Sequence, residues 1–265
     1  MLRAVAATSV VYFHIGVNPE FGSFGVDIFF VISGFVMALI VTAGQSPYTF
    51  AVSRLARIVP LYWTLTTGLL LLAAVKPELL NSTTADLGNY LKSLFFIPYI
   101  KENGLLRPML HVGWTLNYEM FFYACILVAI LAARRFYLPL TLLLLVLAYG
   151  VLGQSRNEVA AGFFGSTLLF EFGFGLCAYE LYRRRWLQAV GKPVLIAAAL
   201  LSYGGMAAAQ AAGVDGPRWL ILGVPSLLLV LALTGLEGSL FSGGGRGVKA
   251  LAAMGDASYA TYLSH

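Results

Sequence analysis

The chain has 265 residues, of which 59% are apolar and 11% charged, and its formal net charge is +5. A soluble domain carries roughly 45–50% apolar and about 25% charged residues, so this composition excludes an ordinary water-soluble fold. The surplus positive charge does not indicate a nucleic-acid partner, because the basic residues form small clusters between apolar runs and no single stripe.

Apolar runs approaching the roughly 20 residues that cross a hydrocarbon core recur along the chain. In order they cover 2–17, 24–41, 58–75, 114–133, 137–152, 160–182, 194–212, 219–236 and 248–265. In lipid such runs must be helical, since irregular backbone would leave its polar groups without partners. The expected fold is therefore all-α: a polytopic transmembrane bundle of about nine helices, built as a single integral membrane domain over 1–265. The first run lacks a short apolar core followed by a small-residue cleavage site, so it is read as a retained helix and not as a signal peptide. Both terminal runs lack flanking anchors, and the domain is expected to be incomplete at its termini.

Basic residues in loops accumulate on the cytoplasmic side. With a cytoplasmic N-terminus, Arg3, Arg54, Arg57, Arg134, Arg135, Arg183, Arg184, Arg185, Lys192, Arg246 and Lys249 all fall on that face. The opposite face keeps six basic residues, four of them (Lys76, Lys92, Lys101 and Arg107) in one long connection over 76–113. Within it, 91–100 reads as a short amphipathic piece lying along the membrane interface.

An ionisable side chain at mid-membrane costs roughly 2.5–3.5 kcal/mol on insertion scales, which makes Arg3, His14, Asp27, Glu119, Glu171 and Glu180 the functional candidates. Arg3 and His14 are eleven positions apart, and eleven steps of about 100° bring both to one helix face with about 16 Å of axial separation. An imidazole titrates near neutrality and can accept a hydroxyl proton. In the bland reading, His14 is an interfacial hydrogen bonder and Arg3 a topology anchor. Glu119 lies five residues into the fourth run, at a depth similar to that of His14. A carboxylate there can orient an imidazole and stabilise its protonated form, or simply bond to a helix terminus. Arg54 and Arg57, three apart between the second and third runs, share a helix face and suit phosphate oxygens. As a bare pair they also fit a topology signal. Cys125 and Cys177 sit in apolar runs without a metal-ligand neighbour, so neither a metal site nor redox chemistry is expected.

Five blocks then combine: L-R-A-V-A-A-T-S-V-V-Y-F-H, F-G-V-D-I-F-F-V-I-S-G-F, R-L-A-R-I-V-P-L-Y-W, W-T-L-N-Y-E and S-Y-A-T-Y-L-S-H. In this order, and spanning nearly the whole chain, they resemble the membrane-bound acyltransferase-3 family, within which the sequence is most similar to bacterial exopolysaccharide O-acetyltransferases. The arginine and histidine separated by ten residues are the family's signature. The resemblance implies ten helices and transfer of an acyl group, usually acetyl, from cytoplasmic acyl-coenzyme A to a hydroxyl of a cell-surface or lipid-linked glycan at the bacterial inner membrane. Acyl-coenzyme A is then a donor substrate; no tightly bound cofactor is implied. By position, His14 is the base or acyl relay beside Arg3, Glu119 supports the reaction centre, and Arg54 and Arg57 hold the coenzyme A phosphates. Asp27, Ser33, Trp114, Tyr259 and His265 are supporting candidates, with Asp27 and Ser33 placed to cap or pack the second helix. A secondary transporter or flippase of glycan precursors is the alternative. It predicts Gly/Pro-broken spans paired between two halves of the chain, and no such pair is evident. A noncatalytic scaffold would tolerate loss of His14.

Overall fold

The computed structural model describes residues 23–80 and 83–240. Among them the chain is helical, and its β-structure is a single isolated bridge between Ile100 and Leu106. The expected spans 2–17 and 248–265 lie outside the described residues. The helices are α1 (Gly25–Thr42), α2 (Pro47–Val75), α3 (Leu87–Leu94), α4 (Trp114–Ala133), α5 (Tyr137–Leu147), α6 (Glu158–Phe164), α7 (Leu168–Arg183), α8 (Lys192–Ala211) and α9 (Val224–Leu240). Six continuous helical runs are long and apolar enough to cross a membrane. One of them, His111–Leu152, contains two expected spans, because extended backbone at Ala133 breaks it into α4 and α5. Leu71, Val146, Leu200 and Leu201 all face outward. In water these positions would form aggregation-prone patches, whereas in a bilayer they meet lipid. The protein is a multi-pass membrane protein.

Three expected boundaries move. The third span begins not at 58 but at Pro47, because the Ser46 side chain accepts a hydrogen bond from the Thr49 amide at 3.1 Å and Pro47 occupies the first turn. The more polar stretch 47–57 is thereby helical, although hydropathy alone reads it as a loop. The amphipathic piece is Leu87–Leu94 and not 91–100. Asp86 caps its start through the Asn89 amide, and Phe96, at φ 57°, turns the chain away after its end. The span expected over 160–182 is divided around Gly165 into α6 and α7.

The chain forms two compact units, one made of residues up to Gly44 and from Phe170 onward, the other of Gln45–Leu169. In the first unit, Phe24, Ile28, Val31 and Ile32 of α1 pack with Met206 of α8 and with Leu222, Leu229 and Val230 of the run entering α9. On another face, α1 meets α7 backbone to backbone. A Cβ added at Gly34 would overlap the Phe172 carbonyl oxygen, and one at Gly175 would overlap the Val31 carbonyl oxygen. Without a hydrophobic drive between helices in lipid, such small-residue crossings supply close dispersion contact. Phe30 and Phe172 stack beside this crossing at 4.4 Å, and the Thr42 and Tyr179 hydroxyls meet at 2.5 Å.

In the second unit, α2 packs against α3 and α4, and α4 against α5. The connection from α3 to α4 is held by specific bonds. Ser93 Oγ accepts from the Met109 amide at 2.9 Å and meets the Tyr99 hydroxyl at 3.1 Å, while Trp63 Nε1 donates to the Leu94 carbonyl at 3.0 Å. Lys101 Nζ donates to Thr83 Oγ1 at 2.8 Å, and Glu102 accepts from Thr84 and Asn89. Gly113 is required by proximity: a Cβ there would lie 2.6 Å from the Tyr62 ring. The 83–113 stretch is therefore a built structure, and it delivers its residues to the first turns of α4.

Candidate active site

Arg3, His14, Tyr259 and His265 lie outside the described residues. The other sequence candidates fall into separate settings in the two units.

In the first unit Asp27 neither caps α1 nor merely packs it. The helix begins at Phe24 without a side-chain cap, and Asp27, 0% exposed, is held by the Arg218 guanidinium. The two bonds run from Nε to Oδ1 at 2.9 Å and from a terminal nitrogen to Oδ2 at 2.6 Å. This fork is the strong geometry for a carboxylate. Beside Asp27 stands Glu171, also 0% exposed, its carboxyl set against that of Asp27. Its methylene packs against the backbone at Gly223, where a Cβ would fall 3.2 Å from it. The π-helical turn Trp219–Gly223 brings Arg218 and Gly223 to this point. Arg218 is itself charged in this setting: burial opposes its charge, and the Asp27 carboxylate it grips outweighs that and raises its pKa. Ser33 is buried further along α1. Glu180 forms ion pairs with Arg183 and Arg184 at 2.8 and 2.7 Å, one turn along α7, which makes it a surface partner at the helix end.

In the second unit Arg54 and Arg57 stand within α2, not in a loop, on adjacent turns of one face and half-buried. Arg54 Nε donates to Ser53 Oγ at 3.3 Å. Glu119 is half-buried on α4 and accepts a hydrogen bond from the Tyr123 hydroxyl one turn later. Tyr123 in turn meets the Phe50 ring edge-on at 6.1 Å.

Trp114, Asn117 and Tyr118 project from the side of α4 opposite Glu119 and Tyr123, at the three- and four-residue spacing that aligns side chains. The Arg107 guanidinium lies 4.5 Å from the Trp114 ring centroid, a cation–π contact. Trp114 meets Tyr118 edge-on at 6.0 Å, and Tyr118 stacks on Phe163 at 4.3 Å with the planes 14° apart. Together with Tyr99 these groups line a narrow cleft of about 10 Å³, room for about one water molecule. Asn117 is only 5% exposed, and its Oδ1 has no hydrogen-bond partner among the described residues.

Sequence reasoning missed Arg107, Asn117, Tyr118 and Arg218. Asn117 and Tyr118 were visible within W-T-L-N-Y-E, but helical spacing alone does not say which face meets a cleft. Arg218 is 191 residues from Asp27 and reads as an ordinary loop charge. Among the described residues no cluster of three metal-ligating side chains occurs.

Comparison with known proteins adds chemistry to this geometry. A family profile described as an acyltransferase domain matches residues 1–265. The exopolysaccharide production protein ExoZ of Rhizobium meliloti is 34% identical over 251 residues, which cover 92% of this chain and 75% of that protein. BcsY of Komagataeibacter xylinus, provisionally named a membrane-bound transacylase, is 28% identical over 210 residues, covering 73% of this chain and 49% of its own length. No solved structure matches.

Proposed function

The chain belongs to the acyltransferase domain family, and from that premise we propose that it moves an acetyl group from cytoplasmic acetyl-coenzyme A to a hydroxyl of an exported exopolysaccharide or its lipid-linked precursor. The observation that carries this reading is the family match over residues 1–265 on a chain of membrane-spanning helices. The glycan acceptor is supported by the similarity to an exopolysaccharide production protein. The bacterial inner membrane and a cytoplasmic N-terminus are part of the proposal and rest on the distribution of basic residues.

In this mechanism His14 takes the acceptor hydroxyl proton as the oxygen attacks the thioester carbonyl. The new ester C–O bond forms, the C–S bond breaks, and the proton passes to the departing thiolate. An acyl–His14 relay balances in the same way over two steps. Arg3 and Glu119 are the supporting residues of this mechanism, as the family resemblance implies. Arg54 and Arg57, two always-charged forks on one face of α2, hold the donor's phosphates. Half-burial strengthens such contacts relative to fully solvated ones.

The test uses the full chain in lipid nanodiscs with radiolabelled acetyl-coenzyme A and base-deacetylated exopolysaccharide fragments. Wild type transfers label to the fragments and His14→Ala does not. Arg54→Ala/Arg57→Ala raises the donor KM by about tenfold or more, as expected for lost charge-assisted bonds of roughly 1.5–3 kcal/mol. Equal labelling by wild type and His14→Ala would overturn the mechanism, and no labelling by wild type would overturn the function.

A further inference from the structure

We infer that Tyr123 is a positioning residue: its hydroxyl holds the Glu119 carboxylate on α4 and so keeps Arg54 and Arg57 of α2 open for the donor's phosphates. The inference rests on the acetyl-transfer reading and adds to it a residue that the reading does not use.

The register of α2 against α4 brings the three charges to one level. Tyr62 lies against Gly113, where a Cβ would fall 2.6 Å from the ring, and Phe50 meets Tyr123 edge-on at 6.1 Å. Later residues of α2 thus meet earlier residues of α4, and the two helices run antiparallel. At about 1.5 Å per residue, Glu119 lies about 9 Å along α4 from Gly113, while Arg57 and Arg54 lie about 8 and about 12 Å along α2 from Tyr62. Glu119 is therefore level with the arginine pair. The faces agree as well. Phe50, Arg54 and Arg57 follow one another at four- and three-residue spacing on one stripe of α2, and Tyr123 follows Glu119 by four on α4. Because Phe50 touches Tyr123, the two stripes look toward each other.

A carboxylate level with two guanidiniums, in half-buried surroundings that strengthen their attraction relative to water, is expected to pair with one of them. Among the described residues no such pair forms. The carboxylate–arginine pairs there are Glu180 with Arg183 and Arg184, and Asp27 with Arg218. Glu119 instead accepts from the Tyr123 hydroxyl, and Arg54 Nε turns to Ser53 Oγ at 3.3 Å. Tyr123 is well placed to hold it, being 5% exposed with its ring seated against Phe50. The bond runs along α4 and draws the carboxylate away from α2.

The chemical consequence concerns the donor. A guanidinium fork closed on a protein carboxylate has spent the N–H groups that a phosphate would use. Without the Tyr123 hydroxyl, Glu119 is released toward the forks, and its carboxylate competes with the donor's phosphates for them.

The test is direct binding of radiolabelled acetyl-coenzyme A to the full chain in nanodiscs without acceptor, followed by transfer to base-deacetylated exopolysaccharide fragments. Tyr123→Phe removes the hydroxyl and keeps the ring on Phe50; where it fails to fold, Tyr123→Met removes the same donor. The donor Kd is expected to rise about tenfold, the scale of a charge-assisted bond lost to a competitor. Removing the competitor should undo the loss: Tyr123→Phe/Glu119→Gln should bind the donor within about twofold of Glu119→Gln alone. A purely structural role for Tyr123 would weaken binding in both backgrounds, and that result overturns the inference. Donor binding by Tyr123→Phe equal to wild type overturns it too. Failure of wild type to bind acetyl-coenzyme A would sink the donor side of the transferase reading and this role with it. Binding that follows the expected pattern, without transfer to glycan by wild type, would sink the transferase reading and leave the role of Tyr123 at the forks standing.

Discussion

Two buried polar settings in this protein answer the same problem in different ways. Around Asp27, the chain supplies the counter-charge itself through the Arg218 fork, and Glu171 beside it belongs to a chemical type that can carry its own proton. Around Asn117 no described residue supplies a donor to Oδ1, and an amide has no protonation state to retreat to. A buried carboxyl can neutralise itself, whereas a buried amide oxygen waits for a partner. The first setting is therefore read as architecture of the unit built from α1, α7, α8 and α9, and the second as a polar atom beside a cleft with room for about one water.

The sharpest way to break this contrast is to remove the counter-charge. Asp27→Ala leaves the Arg218 guanidinium without its carboxylate and should cost about 3 kcal/mol, the lower end for a broken buried pair, because Arg218 itself retains 38% side-chain exposure. Reversible unfolding in detergent measures it, and a loss below about 1 kcal/mol would make the pair incidental. Gly175→Ala asks whether the same unit leans instead on its helix crossing. The added methyl meets the Val31 carbonyl and should cost about 1–3 kcal/mol through forced separation of α1 and α7, read by the same unfolding experiment.

A smaller effect sharpens the carboxyl half of the comparison. Glu171→Gln replaces a carboxyl by an amide of the same shape, and unfolding should shift by no more than about 1 kcal/mol. A loss of several kcal/mol would mean that Glu171 acts as an anion needed by Arg218, and the first setting would then be a charge network of three members.

The smallest effect concerns the wall of the cleft. Hydrogen bonding from Thr84 holds the Glu102 carboxyl below its ordinary value of 4.5. With a depressed folded-state pKa, its contribution is fully present above the ordinary value and is lost as pH falls through the lower folded one. The protection of amides at Asn89 and its neighbours, taken relative to their intrinsic exchange rate at each pH, should therefore fall below about pH 4.5 in wild type. In Glu102→Gln that step should be absent; persistence of the same acid step would place its origin elsewhere.

Much of the fold was legible because lipid enforces it: seven of the expected spans fall on described residues, and each contains a helix. The misplacements have local causes. Ser46 and Pro47 announced the start of α2 as a cap and a first-turn proline, but the ten polar and mixed residues after them hid it from hydropathy. The extended Ala133 that divides α4 from α5 carries no sequence mark beyond the paired arginines that follow. In the candidate site, Asp27 was legible as a charge in an apolar run, whereas its partner Arg218 was set by tertiary packing across most of the chain. The cleft was legible only as a motif, W-T-L-N-Y-E, since its second wall is created by the closure of 83–113 through side-chain bonds that no periodicity encodes.

The central claim is acetyl transfer from one side of the membrane to a glycan. It is tested most directly in sealed vesicles of defined orientation that carry the intact protein and its native glycans, with radiolabelled acetyl-coenzyme A supplied only to the cytoplasmic face. The account predicts label as base-labile ester on glycan with wild type and none with His14→Ala. Label that never reaches glycan, or reaches it equally in both, would contradict it.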